Sequence, residues 1–176
     1  SKEMLRKYIP EAVDLFYEGH VGNQGDAIRW GEELGASIKD MGSFQGHGAV
    51  ATPASVHLSW PTITEGGFHV NCHGKRFSNE NAGYSEQALK VHRQPGNFAW
   101  AIWDERCEGP ASKQHSHQQA NEGGAVKRYD SVEAIARVIG CDAAVLQQTF
   151  DDVAACASGS KPDEFGRDFT RKPTLK

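Results

Sequence analysis

Residues 66–80 read GGFHVNCHGKRFSNE, and this stretch carries the strongest signal for the fold. Phe68 and Val70 are spaced as in a short strand, and residues 76–77 have the composition of a second one. Between them, His73-Gly74 supplies the residue that tolerates the positive φ of a tight turn. The stretch therefore predicts a short β-hairpin that ends on a polar Asn-Glu pair.

The segments around this stretch predict a mixture of strands and helices. Upstream, residues 41–73 place apolar residues singly among small and polar ones, as in extended structure. Downstream, residues 85–92 have the spacing of a short helix, and the apolar run 98–103 has the length of a strand central in a sheet. Residues 107–128 are rich in Gln, His, Ser, Glu and Gly, which predicts a mobile or weakly helical surface insertion.

Helices are predicted at both ends of the chain. After a glycine-rich loop, the apolar residues of 27–36 recur at helical spacing. Residues 130–133 form a capping-box pattern before an apolar stripe that Gly140 closes, and Asp142 caps the next stripe. Strands with helices placed before and after them predict an α+β fold rather than a wound parallel sheet.

Composition excludes several classes of function. The 176 residues are 38% hydrophobic and 24% charged, which suits a globular protein with one core of ordinary size. The net charge is −4 with Lys and Arg scattered, so neither nucleic acid nor an anionic membrane is an expected partner. No apolar run approaches the roughly 20 residues of a membrane helix, and the N-terminus lacks a signal-peptide core, which predicts a cytoplasmic protein.

Metal and thiol chemistry receive little support. The four cysteines are far apart and form no Cys-x-x-Cys pair, so neither a zinc knuckle nor a redox pair is predicted. His115 and His117 could bind a stray metal ion, with a solvated loop as the alternative. No functional metal site is predicted, because a tetrahedral site needs a complete ligand set.

Five segments, in one order, resemble the flavoprotein fold shared by soluble fumarate reductases, succinate dehydrogenase flavoprotein subunits and 3-ketosteroid dehydrogenases. A single glycine-turn match would carry little weight, but the order and spacing of all five agree with that family. The segments are GDAIRWGEELGA (25–36), DMGSFQGHG (40–48), GGFHVNCHGKRFSNE (66–80), FAWAIWDE (98–105) and TFDDVAACASGSKPDEFGR (149–167).

The resemblance implies a domain organisation. Residues 1–40 would end an FAD-binding domain, 41–160 would form the substrate-capping domain, and 161–176 would return toward the FAD-binding domain. The Gly-x-Gly-x-x-Gly turn and the C-terminal contacts that hold FAD in the family do not occur here. We therefore expect the capping piece of a longer FAD-dependent oxidoreductase, whose partner is the missing FAD-binding domain, and which alone neither holds FAD firmly nor turns over.

The resemblance also implies the chemistry. Family enzymes move a hydride between flavin and one carbon of a C–C pair, while a residue of the capping domain exchanges a proton at the neighbouring carbon. Fumarate reductases place an arginine where this chain has Tyr84, and 3-ketosteroid dehydrogenases place a tyrosine there. Tyr84 is thus the expected catalytic proton carrier, and the expected small-molecule substrate is not fumarate itself. Gly83, where the steroid enzymes have proline, departs from the pattern.

Substrate binding is assigned by the same comparison. His47 falls where the reductases keep a substrate-binding histidine, and its imidazole could hydrogen-bond a carbonyl or carboxylate. Ser59 and Trp60 stand in place of the reductases' Thr-Glu pair, so the dicarboxylate pocket is not reproduced. Trp60 then indicates a larger or more apolar substrate, or else it is a core residue.

The remaining assignments each have a plainer alternative. Asp26 would contact the ribose or diphosphate region of FAD, or it caps a helix. Arg76, Asn79 and Glu80 would support the loop over the flavin, or the last two cap backbone groups at a strand end. The rival to an oxidoreductase is a stand-alone α+β binding or interaction module without a cofactor.

Overall fold

The computed structural model describes residues 1–52, 55–172 and 175, and the end of the predicted return segment, 173, 174 and 176, lies outside them. Its contacts divide the chain into two compact units, 1–45 and 46–176. The first unit contains helix α1 (Lys2–Tyr8), a 3₁₀ turn (Pro10–Ala12) and helix α2 (Asp26–Glu33). Helix α2 confirms the helix predicted after the glycine-rich loop, which ends on Gly25 with a φ of 86°.

The second unit mixes short strands with helices, which confirms the predicted α+β fold. Strands β1 and β2 pair with each other, and β3 pairs with β4, both antiparallel. The elements are β1 (Val50–Ala51), β2 (Val56–His57), α3 (Pro61–Thr64), β3 (Phe68–Val70), α4 (Tyr84–His92), β4 (Trp100–Ile102), α5 (Glu105–Ala111), α6 (His115–Glu122), α7 (Val132–Ile139) and α8 (Ala143–Ala157).

The partner of β3 differs from the prediction. Phe68 lies opposite Ile102, and Val70 opposite Trp100, so β3 pairs with β4 and not with residues 76–77. The predicted hairpin at 68–77 is therefore wrong, although Gly74 does turn the chain with a φ of 70°. The run at 98–103 does contain a strand, but among the described residues β4 pairs with β3 alone and is not central in a sheet.

The core of the second unit lies between this strand pair and the last two helices. Ser131 accepts a hydrogen bond from Ala134 at the start of α7, and Asp142 accepts one from Ala144 at the start of α8, as their sequence predicts. Helix α7 ends at Gly140, whose φ of 80° suits glycine. The buried core residues are Phe68, Val70, Ile102, Ala136, Ile139, Leu146, Val153, Cys156 and Phe169.

Of the two alternatives predicted for the insertion at 107–128, mobile or weakly helical, the structure has the helical one, but not all of the segment lies on the surface. Helices α5 and α6 occupy most of this range and pack on α3 and β2. Asp104 caps α5 by accepting a hydrogen bond from the backbone of Cys107. Cys107, His117 and Ala120 are fully buried, so one face of these two helices belongs to the interior while the other is exposed. None of the described helices combines the length and apolar character needed to cross a bilayer.

Candidate active site

Four aromatic side chains from separate segments of the second unit meet in one group, which we call the aromatic cluster: His47, His57, Trp60 and Tyr84. The His47 ring is stacked between His57, with centroids 4.2 Å apart, and Tyr84, 5.0 Å apart. Trp60 stands edge-on to His47 at 6.2 Å and to Tyr84 at 6.0 Å. Tyr84 is 38% exposed, so the cluster has one face open to solvent.

The loop that carries His47 is fixed to helix α4. The backbone N–H of Gly46 donates to Ser85 Oγ at 3.1 Å, and that of Gly48 donates to the Tyr84 carbonyl at 2.8 Å. A Cβ at Gly48 would lie 2.6 Å from Gln87 Cβ, so only glycine permits this approach. Two backbone donors and one close contact therefore set the spacing between His47 and Tyr84.

A buried hydrogen-bond chain supports Ser59 and Trp60. The Ser59 N–H donates to Nδ1 of the fully buried His117 at 3.3 Å, and His117 Nε2 lies 3.1 Å from Glu108 Oε2. Trp60 is half-buried and stands directly before helix α3, so it lies at the margin of the interior. The Ser59 hydroxyl is buried and finds no hydrogen-bond partner among the described residues.

Arg76 and Glu80 belong to a second group, the ion network, together with Asp163 and Arg167. Arg76 Nε and Nη2 donate to the two Glu80 oxygens at 2.8 and 2.9 Å, and Arg76 also pairs with Asp163. Arg167 Nη1 donates to Glu80 Oε2 at 3.0 Å. Burial opposes ionisation of Glu80, but hydrogen bonds from Arg76 and the charge of Arg167 outweigh it and lower its pKa.

Asn79 and Asp26 make local contacts. Asn79 Oδ1 accepts from the Asn81 N–H at 3.0 Å, and its amide donates to the Gly166 carbonyl at 3.2 Å. Asp26 occupies the first position of α2 in the first unit, where its carboxylate pairs with Arg29. These contacts match the capping alternative for Asn79. The cap position of α2 is Gly25, so Asp26 itself is not the cap.

The two histidines considered for a stray metal ion, His115 and His117, have different environments. His115 is exposed, and His117 is buried and bound to Ser59 and Glu108. In the part of the chain that the structure describes, no group of three or more His, Cys, Asp or Glu side chains is arranged to hold a metal ion.

Comparison with known proteins places this geometry in a family context. No family model matches the chain. A probable fumarate reductase, Ifc3, of Shewanella frigidimarina (strain NCIMB 400) is 28% identical over 167 residues, which cover 95% of this chain and 28% of that protein. A 3-oxo-5-alpha-steroid 4-dehydrogenase of Comamonas testosteroni is 28% identical over 179 residues, covering 93% and 30%. The chain spans less than a third of these relatives.

Solved structures agree. The open conformation of a flavocytochrome c3 fumarate reductase superposes with a TM-score of 0.72 at 27% identity, over 95% of this chain and 29% of that one. The 3-ketosteroid delta1-dehydrogenase of Sterolibacterium denitrificans gives 0.65 at 25% identity, over 97% and 34%. The chain is a homologue of the fumarate reductase flavoproteins. It shares with that family, and with the steroid dehydrogenases related to it, the fold predicted from the five segments.

Within this fumarate reductase-like fold, the structure brings together three of the predicted site residues, His47, Trp60 and Tyr84, with Ser59 beside Trp60. Arg76 and Glu80 lie in the ion network instead. The cluster can offer a phenol and an imidazole to a ligand on its open face. In the ion network, the charged side chains pair with one another.

The sequence reasoning missed one member of the cluster, His57, and two side chains beside it, His69 and Gln87. His69 is buried on β3, 6.0 Å edge-on from Trp60, and its Nδ1 lies 3.1 Å from Gln87 Nε2. Burial is the main cause that lowers its pKa from 6.5 to about 4. Two signals were present: a histidine between two core residues, Phe68 and Val70, and a glutamine three positions after Tyr84, on the same helix face.

Proposed function

We propose that the second unit is the substrate-capping part of a longer FAD-dependent oxidoreductase that acts on a C–C bond, with a substrate other than fumarate. The observation that carries the proposal is the stack of His47 on Tyr84 at 5.0 Å, on the open face of the cluster. Two residues 37 positions apart, each matched to a family site by its own motif, meet there. We also propose that the chain alone does not turn over.

Tyr84 is proposed as the proton carrier and His47 as a substrate-binding residue. A phenol can pass a proton to or from a substrate carbon, and an imidazole beside it can hydrogen-bond a substrate oxygen. Ser59 supports this role because its buried hydroxyl lacks a partner among the described residues, and an unsatisfied buried hydroxyl costs about 1–3 kcal/mol. Trp60 supplies an apolar edge, which favours a substrate larger than a dicarboxylate.

FAD, when bound, would accept or supply the hydride. FAD would lie beside the open face of the cluster. The described side chains there can exchange protons and form hydrogen bonds with a substrate, but they do not form a binding site for the phosphates of FAD. Asp26, which follows the Gly25 turn at the start of α2, is proposed to contact its ribose or diphosphate region. Arg76, Asn79 and Glu80 are proposed to hold the backbone beneath the site without touching substrate.

The proposed partner is an FAD-binding domain of the same polypeptide. Large apolar side chains of the first unit are exposed, including Phe16 at 70%, Val21 at 80%, Trp30 at 63% and Leu34 at 88%. We propose that the partner domain covers these side chains. These exposed side chains support the proposal of a partner domain. In a stand-alone binding module, they would have to contact a separate protein instead.

The test is Tyr84→Phe in the full-length protein, with Tyr129→Phe as the matched control, since Tyr129 is comparably exposed at 40%. We expect the Tyr84 variant to retain its yellow flavin and to lose about 10²- to 10⁴-fold in turnover, the usual contribution of a general acid or base. The control should keep both properties. Unchanged turnover in Tyr84→Phe removes this residue from the mechanism, and a colourless full-length protein favours the binding module.

A further inference from the structure

Gln87 connects three parts of the site: helix α4, the loop of His47 and strand β3. Its side chain is fully buried on α4, one turn after Tyr84. The amide Nε2 donates to Ser78 Oγ at 2.8 Å and faces His69 Nδ1 at 3.1 Å, and Oε1 accepts from the Ser78 hydroxyl at 2.9 Å. The amide nitrogen of Gln87, Nε2, can only donate hydrogen bonds, so His69 Nδ1 is the acceptor. The neutral His69 ring therefore carries its proton on its own Nε2 atom.

The same residue contacts the loop that carries His47. Gly48 approaches Gln87 so closely that a Cβ there would lie 2.6 Å from Gln87 Cβ and 2.9 Å from its carbonyl carbon. The Gly48 N–H also donates to the carbonyl of Tyr84, in the same helical turn as Gln87. These two contacts of Gly48 therefore fix the position of the neighbouring His47 relative to the backbone of α4 at Gln87.

Through His69, the amide of Gln87 is also connected to Trp60, another member of the aromatic cluster. The His69 ring stands edge-on to Trp60 at 6.0 Å and is parallel to Phe77 at 6.5 Å. An acceptor Nδ1 requires a neutral imidazole. Around the ring, Glu80 favours protonation, while burial and the charges of Arg167 and Arg76 oppose it, so the imidazole stays neutral near pH 7.

We propose that Gln87 is a positioning residue of the site, which fixes His47, Tyr84 and Trp60 relative to one another through Gly48, through its own helix and through His69. The catalytic consequence depends on the proposed function; the geometric role does not. Gln87 touches no reacting atom in this assignment. It acts through residues that would.

The first experiment uses this chain and does not depend on activity. Gln87→Glu keeps the shape of the side chain and places a carboxylate against His69 Nδ1, which favours the imidazolium. We expect an NMR titration to show the pKa of His69 raised by more than about one unit from its value near 4. Gln119→Glu, on the exposed side of α6, is the control and should leave it unchanged. An unaltered His69 titration in Gln87→Glu overturns the contact.

The second experiment separates position from chemistry. Gln87→Leu should weaken the ring-to-ring NOE between His47 and Tyr84 in this chain and, in the full-length enzyme, lower kcat by about tenfold or more with flavin retained. If Gln87→Leu fails to fold, Ser78→Ala removes a hydrogen-bond partner of the amide and should give the same two changes in weaker form. Preserved NOEs overturn the positioning role. Lost NOEs with kcat unchanged leave that role standing and overturn the proposed function.

Discussion

The ion network and the aromatic cluster both lie in the second unit, yet they treat polar groups in opposite ways. In the network, Glu80 is fully buried, and each of its oxygens is paired with a guanidinium. In the cluster, Tyr84 is partly exposed, and the nearby Ser59 hydroxyl is buried without a partner among the described residues. The Glu80 carboxylate, whose oxygens are both paired inside the protein, is not available to a ligand, whereas the cluster presents a partly exposed phenol close to a buried hydroxyl.

The contrast explains why residues from neighbouring motifs separate into different roles. Glu80 and Tyr84 are four positions apart, but the chain between them forms the 3₁₀ turn Glu80–Ala82 and then passes through Gly83, whose φ of 139° favours glycine, so the two side chains do not share one helix face. Glu80 faces inward to Arg76 and Arg167. Tyr84 begins α4 at the open face. His69 lies between the two groups, with Glu80 near its backbone and Trp60 near its ring.

The largest expected effect comes from breaking the ion network. Glu80→Ala leaves Arg76 and Arg167, both nearly inaccessible, without their shared carboxylate. Removing one partner of a buried ion pair typically costs about 3–5 kcal/mol. We expect urea unfolding of the variant to show a loss of that size in the free energy of unfolding.

Two comparisons sharpen this measurement. Glu80→Gln keeps part of the hydrogen bonding without the charge and should lose less than Glu80→Ala. Asp152→Ala breaks the exposed pair with Lys161, which should cost no more than about 1 kcal/mol. If Glu80→Ala costs as little as Asp152→Ala, the network does not hold the fold, and the contrast with the cluster fails.

The next effect is the dependence of stability on pH through His69. The folded protein binds a proton on this ring only near pH 4, whereas the unfolded chain binds one near pH 6.5. Between these values the unfolded state holds more protons, so the free energy of unfolding falls as the pH is lowered from about 6.5 to 4. A shift of this size corresponds to about 3 kcal/mol.

The His69→Leu variant isolates this contribution, because it differs from the parent protein at this ring alone. We expect a smaller loss of stability between pH 6.5 and 4 in the variant, even though its stability at pH 7 is lowered by the unpaired Gln87 amide. Equal slopes in that window would mean that His69 is protonated in the folded state, and Gln87 would then face a different tautomer or charge.

Local signals predicted much of the fold from the sequence. The caps Ser131 and Asp142 and the closing Gly140 act within one helical turn of their own position, so the ends of α7 and α8 could be predicted. Pairing is not local: β3 meets β4 across about thirty residues, while residues 76–77 lie nearer along the chain. The hairpin prediction failed because Arg76 is drawn to Glu80 and Asp163, which no strand pattern records.

The residues of the site also divide into those with a local sequence signal and those that depend on distant contacts. His47 and Tyr84 could be proposed because each lies in or directly after a segment that resembles the family sequence, and Trp60 because it stands where the reductases have a substrate-binding pair. His57, His69 and Gln87 depend on contacts between side chains distant in sequence, and composition gives no distance. For the same reason Cys107 and His117 were assigned to a surface insertion, although both are buried. A polar stretch is placed inside when its polar atoms find partners, as His117 does with Ser59 and Glu108.

The smallest of these effects belongs to the cluster. Gly48→Ala would place a Cβ 2.6 Å from Gln87 Cβ and 2.9 Å from its backbone carbon, so the loop or α4 must move. Such overpacking costs about 1–3 kcal/mol. The matched control is Gly31→Ala within α2, where the new Cβ meets Ala36 at an ordinary 3.6 Å and should stabilise the helix by about 0.5–1 kcal/mol.

The Gly48 variant also tests whether the cluster is held more loosely than the network. Because the loop can move outward on the open face, we expect the His47–Tyr84 ring contact to weaken in NMR spectra while the β3–β4 core keeps its amide-exchange protection. Loss of protection across the core would mean that the cluster and the core unfold together. In that case the open face is as rigid as the ion network, and the half-exposed rings are structural rather than available to a substrate.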